Sequence, residues 1–382
     1  MTRPSFHILL ALLALVPSLV PAQRDAHQSF GLAVLSAPTP VEIDGSPRLV
    51  YELHLANFAA ESLRLVRVEA LDDARPEPLQ ALAGDVLASA LGRPGLDKGA
   101  DRSVIAPGMH AVVYLDVATG QAPPSALRHR VEFVAADGGP PSRVEGGQVV
   151  PKRPAALALG PPLRGGPWIA IYSAEWERGH RRVTYAVDGR VRIPGRHAID
   201  WVRIDANGKS FAGDGEVKRN WFGYGADVLA VADATVAAVR DDVAEPSTVS
   251  AGNPRVAIGD ASGNYVALAL GDGRYAVYEH LQPGSIKVRR GDRVRRGEAV
   301  AALGYTGEST GPHLHFHVAD AGLPLAAEGL PYALEGGRAL GAYPSFDVYA
   351  KGGPWIPVSP ASTPARGFPA PFAVLEFPPA PR

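Results

Sequence analysis

The sequence predicts a mostly β protein, an antiparallel β-sandwich followed by a second β-rich domain. Apolar and polar residues alternate with period two through many short runs, Gly and Pro break those runs at frequent intervals, and helical periodicity is nearly absent. A chain of 382 residues has room for two ordinary domains, and 46% apolar with 20% charged residues is the composition of a globular protein.

The first 22 residues have the form of a secretory signal peptide: Arg3, an apolar run from about Ile8 to Val20, and small residues ending at Ala22. The run is shorter than the roughly 20 residues that span a bilayer, and Pro17 and Pro21 interrupt it. No later segment is apolar enough to span. The expectation is an exported protein with no stable membrane span, in the periplasm or cell envelope.

Residues 23–154 form the expected sandwich domain, with short alternating runs separated by Gly, Pro, Asp and Ser. A helix over 76–91 is expected to interrupt them. His54, His110 and His129 lie in alternating strands or beside turns and read as ordinary strand or surface histidines. A Pro-rich passage around residue 155 marks a linker. Residues 155–350 form the second domain, again short strands with Gly-rich turns. From 351 to 382 the prolines predict an extended tail without regular pairing.

Composition narrows the chemistry. The net charge of −1 offers no basic excess for nucleic acid. With no cysteines there are no disulfides, thiolate zinc sites or cysteine nucleophiles, so any metal falls to His, Asp and Glu.

The strongest local signal is Gly311-Pro312-His313-Leu314-His315-Phe316-His317-Val318. On a strand the three histidines share one face, while Leu314, Phe316 and Val318 face a core. Alternate residues stand roughly 6–7 Å apart, too far for all three to reach one metal at about 2.0–2.1 Å, so partners must come from elsewhere. Asp200, set between apolar neighbours in Arg196-His197-Ala198-Ile199-Asp200-Trp201, is a carboxylate whose burial a cation would offset. His280, in Tyr278-Glu279-His280-Leu281, ends a strand just before a Gly-Pro turn.

These residues resemble the lysostaphin-type zinc peptidases. That family carries a His…Asp motif, a Tyr-x-His-Leu segment, a Gly-Asp-x-Val-x-x-Gly turn and a Gly-Pro-His-Leu-His-Phe strand. Here the order is kept as His197/Asp200, 278–281, Gly291-Asp292-Arg293-Val294-Arg295-Arg296-Gly297, and 311–316, within about residues 165–325. The resemblance implies a zinc (Zn2+) metalloendopeptidase acting on peptidoglycan stem peptides. It implies that Asp200 and His315 bind the metal and that His280 and His313 serve the chemistry. Zinc would polarise the scissile carbonyl and activate water, and the two imidazoles would assist deprotonation and stabilise the oxyanion.

The chain departs from the family at two positions. The first ligand normally precedes the Asp by four residues, where this sequence has Arg196; His197 precedes it by three and would face away on a regular strand. His180, in Gly179-His180-Arg181-Arg182, is the alternative ligand and resembles a branch of the family with such a segment. Both stay open. His317 stands where the family has Glu, which implies an accessory role.

Three competing readings carry less. A lipoyl-type carrier domain needs a lysine at a hairpin tip, usually beside Met, and neither methionine lies near residues 291–304. Gly307-Glu308-Ser309-Thr310-Gly311 matches a nucleophile elbow in letters, but Pro312 and a strand follow it rather than a helix. A catalytically degenerate protein that binds peptidoglycan or regulates a hydrolase remains the alternative function.

Overall fold

The structure, a computed structural model, describes residues 28–97, 99–120, 123–155, 157–177, 179–250, 256–358 and 365–379. The signal-peptide expectation lies outside these residues. Among them no helix is long and apolar enough to cross a membrane.

The protein is mostly β. In the first half, one five-stranded sheet is built on Ser46–Asn57 paired with His110–Ala118, and a second on Leu63–Leu71 paired with Leu127–Ala135. Period-two alternation sends Leu49, Tyr51, Leu53 and Leu55 of the first sheet and Val68, Val131 and Phe133 of the second into one core, so the sheets face each other as a sandwich. Within the expected helix over 76–91, the structure has a strand at Gln80–Ala83 and a short helix at Gly84–Ala90. Gly84 sits at φ +54°, which ends the strand, and the alternating residues before it pair with Arg67–Ala70.

The second half is organised by a sheet of 13 described strands. Its central order runs Ala373–Phe377, Gly165–Ile171, Ile199–Arg203, Leu314–Ala319, Arg274–Glu279, Tyr265–Gly271, Ala234–Arg240. Trp168, Trp201, Tyr278, Leu314, Phe316 and Val318 fill the core beneath it.

The C-terminal segment departs from the expected tail. Ala373–Phe377 is an interior strand between Gly165–Ile171 and Ala333–Ala342, with Val374 and Phe377 buried. The prolines at 369, 371, 378 and 379 flank this strand instead of entering it, so its backbone donors remain free to pair. Just before it, Phe368 pairs with the first half: its N–H donates to the Glu42 carbonyl, and the Asp44 N–H donates to the Phe368 carbonyl.

Candidate metal centre

Three adjacent strands carry the site. In the antiparallel register Asp200 lies opposite His315, and His315 lies opposite Glu279, giving a row of polar side chains across the sheet. Their neighbours Ile199, Trp201, Phe316 and Tyr278 point into the core, as strand alternation requires.

Asp200 is the hub. Its Oδ2 lies 3.0 Å from His180 Nε2, and its Oδ1 lies 2.9 Å from His315 Nδ1 and 3.3 Å from His313 Nε2. Burial would raise the carboxyl, but the His180 and His313 imidazoles hold it well below the usual carboxylate range, so it is an anion at neutral pH. For His315, burial pulls downward while Glu279 and Asp200 pull up more strongly, and its pKa stands raised at about 8.

His280 and His313 are held through their other nitrogens. His280 Nδ1–H donates to the Thr306 carbonyl at 2.8 Å, and His313 Nδ1–H donates to the Gly311 carbonyl at 2.7 Å. These bonds put the proton on Nδ1 in both rings; His313 Nε2 lies 3.3 Å from Asp200 Oδ1. The two rings are 4.8 Å apart. His280 adopts φ +61°, a left-handed conformation costly for a non-glycine residue, and is held there by its N–H donating to the Ser262 carbonyl. Burial, reinforced by His313 and His315, keeps its pKa well below the ordinary histidine value. The Thr306 carbonyl is set by the turn at Gly307, φ +76°, where a Cβ would come 2.4 Å from the Ala261 carbonyl oxygen.

The two alternative first ligands occupy different places. His180, on the 3-10 turn His180–Arg182, reaches Asp200. His197 is buried at the end of the 3-10 turn Pro194–His197, its ring 5.9 Å from that of Phe368. It belongs to none of the groups of converging ligand atoms among the described residues. The turn at Pro194-Gly195 precedes the strand but leaves His197 facing inward. His317 is also buried, 3.4 Å from the Glu279 carboxylate. Ser309 lies 3.2 Å from His313 Nδ1, but its hydroxyl donates to the Gly311 carbonyl and no helix follows it.

His180, Asp200 and His315 each bring a ligand atom within 4.8 Å of the others, and so do His280, His313 and His315. Two imidazoles and a carboxylate anion form a zinc-type donor set. The buried Asp200 carboxylate, with ring nitrogens of His180 and His315 converging on it, fits a cation whose charge would offset the buried anion.

The signal missed in the sequence is Glu279. It comes within 3.7 Å of His315 Nε2 from the neighbouring strand, on the side away from Asp200. Its position in Tyr278-Glu279-His280, a carboxylate at the end of an apolar strand, carried the clue. Outside the site, His129 accepts from the Tyr51 hydroxyl at 2.8 Å, and His54 and His110 contact each other at 3.0 Å.

Residues 222–327 match the model described as Peptidase family M23. That span includes His280, His313, His315 and His317 but not His180 or Asp200. The peptidoglycan DD-endopeptidase ShyA of Vibrio cholerae serotype O1 is 39% identical over 66 residues, covering 17% of this chain and 15% of that one. The peptidoglycan DD-endopeptidase ShyC of the same organism is 31% identical over 124 residues, covering 32% and 25%. The chain thus spans a quarter or less of the length of these relatives. The catalytic domain of lysostaphin from Staphylococcus simulans is 18% identical, covering 44% of this chain and 88% of that one, with a TM-score of 0.23.

Proposed function

We propose that the chain, whose residues 222–327 match peptidase family M23, the lysostaphin-type peptidases, is a zinc endopeptidase cutting peptide cross-bridges of bacterial peptidoglycan in the cell envelope. The observation that carries the reading is the convergence of His180, Asp200 and His315 on one small space, with His280 and His313 beside it, each held through Nδ1 by a backbone carbonyl.

In this reading His180, Asp200 and His315 hold zinc, which when bound supplies a Lewis acid to polarise the scissile carbonyl and make water nucleophilic. His280, kept neutral by burial, takes a proton from the attacking water at Nε2. The Thr306 carbonyl fixes its tautomer by holding the proton on Nδ1. His313, fixed by the Gly311 carbonyl, presents Nε2 to the oxygen that becomes negative at the carbonyl carbon. Glu279 faces the Nε2 side of His315 at 3.7 Å and favours the ring orientation in which Nδ1 points to Asp200.

The names of ShyA and ShyC, which speak of DD-endopeptidases, support peptide cross-bridges as the substrate. The test is digestion of isolated peptidoglycan followed by mass analysis of the fragments. Loss of cross-linked dimers and gain of monomers with intact glycan supports the reading. Unchanged fragments from a folded, zinc-loaded sample would contradict it and favour a binding or regulatory role.

A further inference from the structure

Of the imidazoles that face Asp200, His180 is the one whose second ring nitrogen lacks a partner, its Nε2 lying 3.0 Å from Asp200 Oδ2. His280 and His313 are tied to backbone carbonyls, and His315 lies between Asp200 and Glu279. His180 Nδ1 is buried and has no hydrogen-bond partner among the described residues. Its orientation therefore rests on the Nε2 contact with Asp200 and on the backbone of the three-residue turn that carries it.

That turn is fastened to the first half of the chain. Arg181, the next residue, is buried, and its guanidinium spans the boundary between the halves. Its Nε donates to Glu52 at 3.0 Å, and its terminal nitrogen donates to the carbonyls of Tyr51 and Leu115 at 2.7 and 2.5 Å. All three acceptors lie on the paired strands Ser46–Asn57 and His110–Ala118 of the sandwich. Arg182 adds a bond to the Ser89 carbonyl at 2.6 Å, and its guanidinium lies 4.8 Å from the centre of the Tyr114 ring.

Glu52 is the keystone of this contact. Its buried carboxylate also accepts from Arg196, at 2.7 Å to the terminal nitrogen, and Arg196 in turn pairs with Glu328. One carboxylate thus ties the turn bearing His180 to the turn preceding the Asp200 strand. Removing one partner from such a buried charged network leaves the others uncompensated.

We propose that Glu52 and Arg181 are positioning residues for the metal site, so that the N-terminal sandwich is a structural part of the centre. Arg181 locks the His180–Arg182 turn against the sandwich, and His180 Nε2 is thereby held at Asp200. This inference rests on the zinc reading above.

The experiment is zinc affinity of the full chain, measured by competition with a chromophoric chelator at a temperature where circular dichroism shows each variant folded. Glu52→Gln and Arg181→Met attack the contact from opposite sides and are each expected to weaken zinc binding by about 10–100-fold. Glu328→Gln disturbs the same network without touching Arg181 and is expected to stay within about threefold of the parent, a change smaller than outer-partner losses. Parent-like affinity in both Glu52→Gln and Arg181→Met, with the parent binding zinc, would overturn the proposal alone. An equal loss in Glu328→Gln would also overturn it, by reducing the effect to general loosening. A parent chain that binds no zinc would overturn the zinc reading and this proposal together.

Discussion

Asp200 and His315 face each other across two antiparallel strands, Oδ1 to Nδ1 at 2.9 Å. Without metal this contact holds a proton, because Glu279 and Asp200 outweigh burial and leave His315 raised at about 8. Zinc must displace that proton. Its affinity is therefore expected to climb about tenfold per pH unit from pH 6 to about 8 and to flatten above. For the metal-free protein the sign is opposite: a raised folded pKa stabilises below the ordinary value near 6.5, and this contribution is lost as pH rises through about 8. Zinc titrations at several pH values check the first expectation; an affinity that does not vary with pH would contradict it.

His180→Ala is expected to lower zinc affinity by at least about 100-fold, since it removes one of the three ligands proposed above. His197→Ala, at a buried position packed on Phe368, is expected to keep zinc and instead lose about 1–3 kcal/mol of stability. Zinc content and urea unfolding of the two variants separate these outcomes. Retained zinc in His180→Ala with loss in His197→Ala would reverse the assignment.

His280→Ala and His313→Ala remove imidazoles that present Nε2 without being needed to hold the metal. Each is expected to keep stoichiometric zinc and to lower turnover by about 100-fold or more, the size of a lost general acid or base. Steady-state rates on a cross-linked muropeptide, taken alongside zinc content, test this. Loss of zinc in either variant would move that residue into the ligand set.

Phe377→Ala empties a buried position on an interior strand and is expected to cost about 3–5 kcal/mol. A urea midpoint equal to that of the parent would mean that this strand does not belong to the sheet.

What could be read locally was legible. Alternation along 313–318 separated the histidine face from Leu314, Phe316 and Val318, and the structure keeps that division. The choice between His180 and His197 could not be read from spacing, because the 3-10 turn at Pro194–His197 breaks the strand rule just before Asp200. Glu52 was invisible for another reason. It lies 129 residues before Arg181, and no periodicity records a contact between a sandwich strand and a distant turn. The C-terminal segment pairs despite its many prolines because they lie outside the run Ala373–Phe377, which is free of proline and forms a strand.

The most direct test of the central claim is the zinc content of the purified chain, measured together with hydrolysis of isolated peptidoglycan before and after chelation. The account predicts about one zinc per chain, release of cross-link fragments, loss of that activity with the chelator and its return on adding zinc. A folded chain that takes up no zinc and leaves peptidoglycan intact would contradict it.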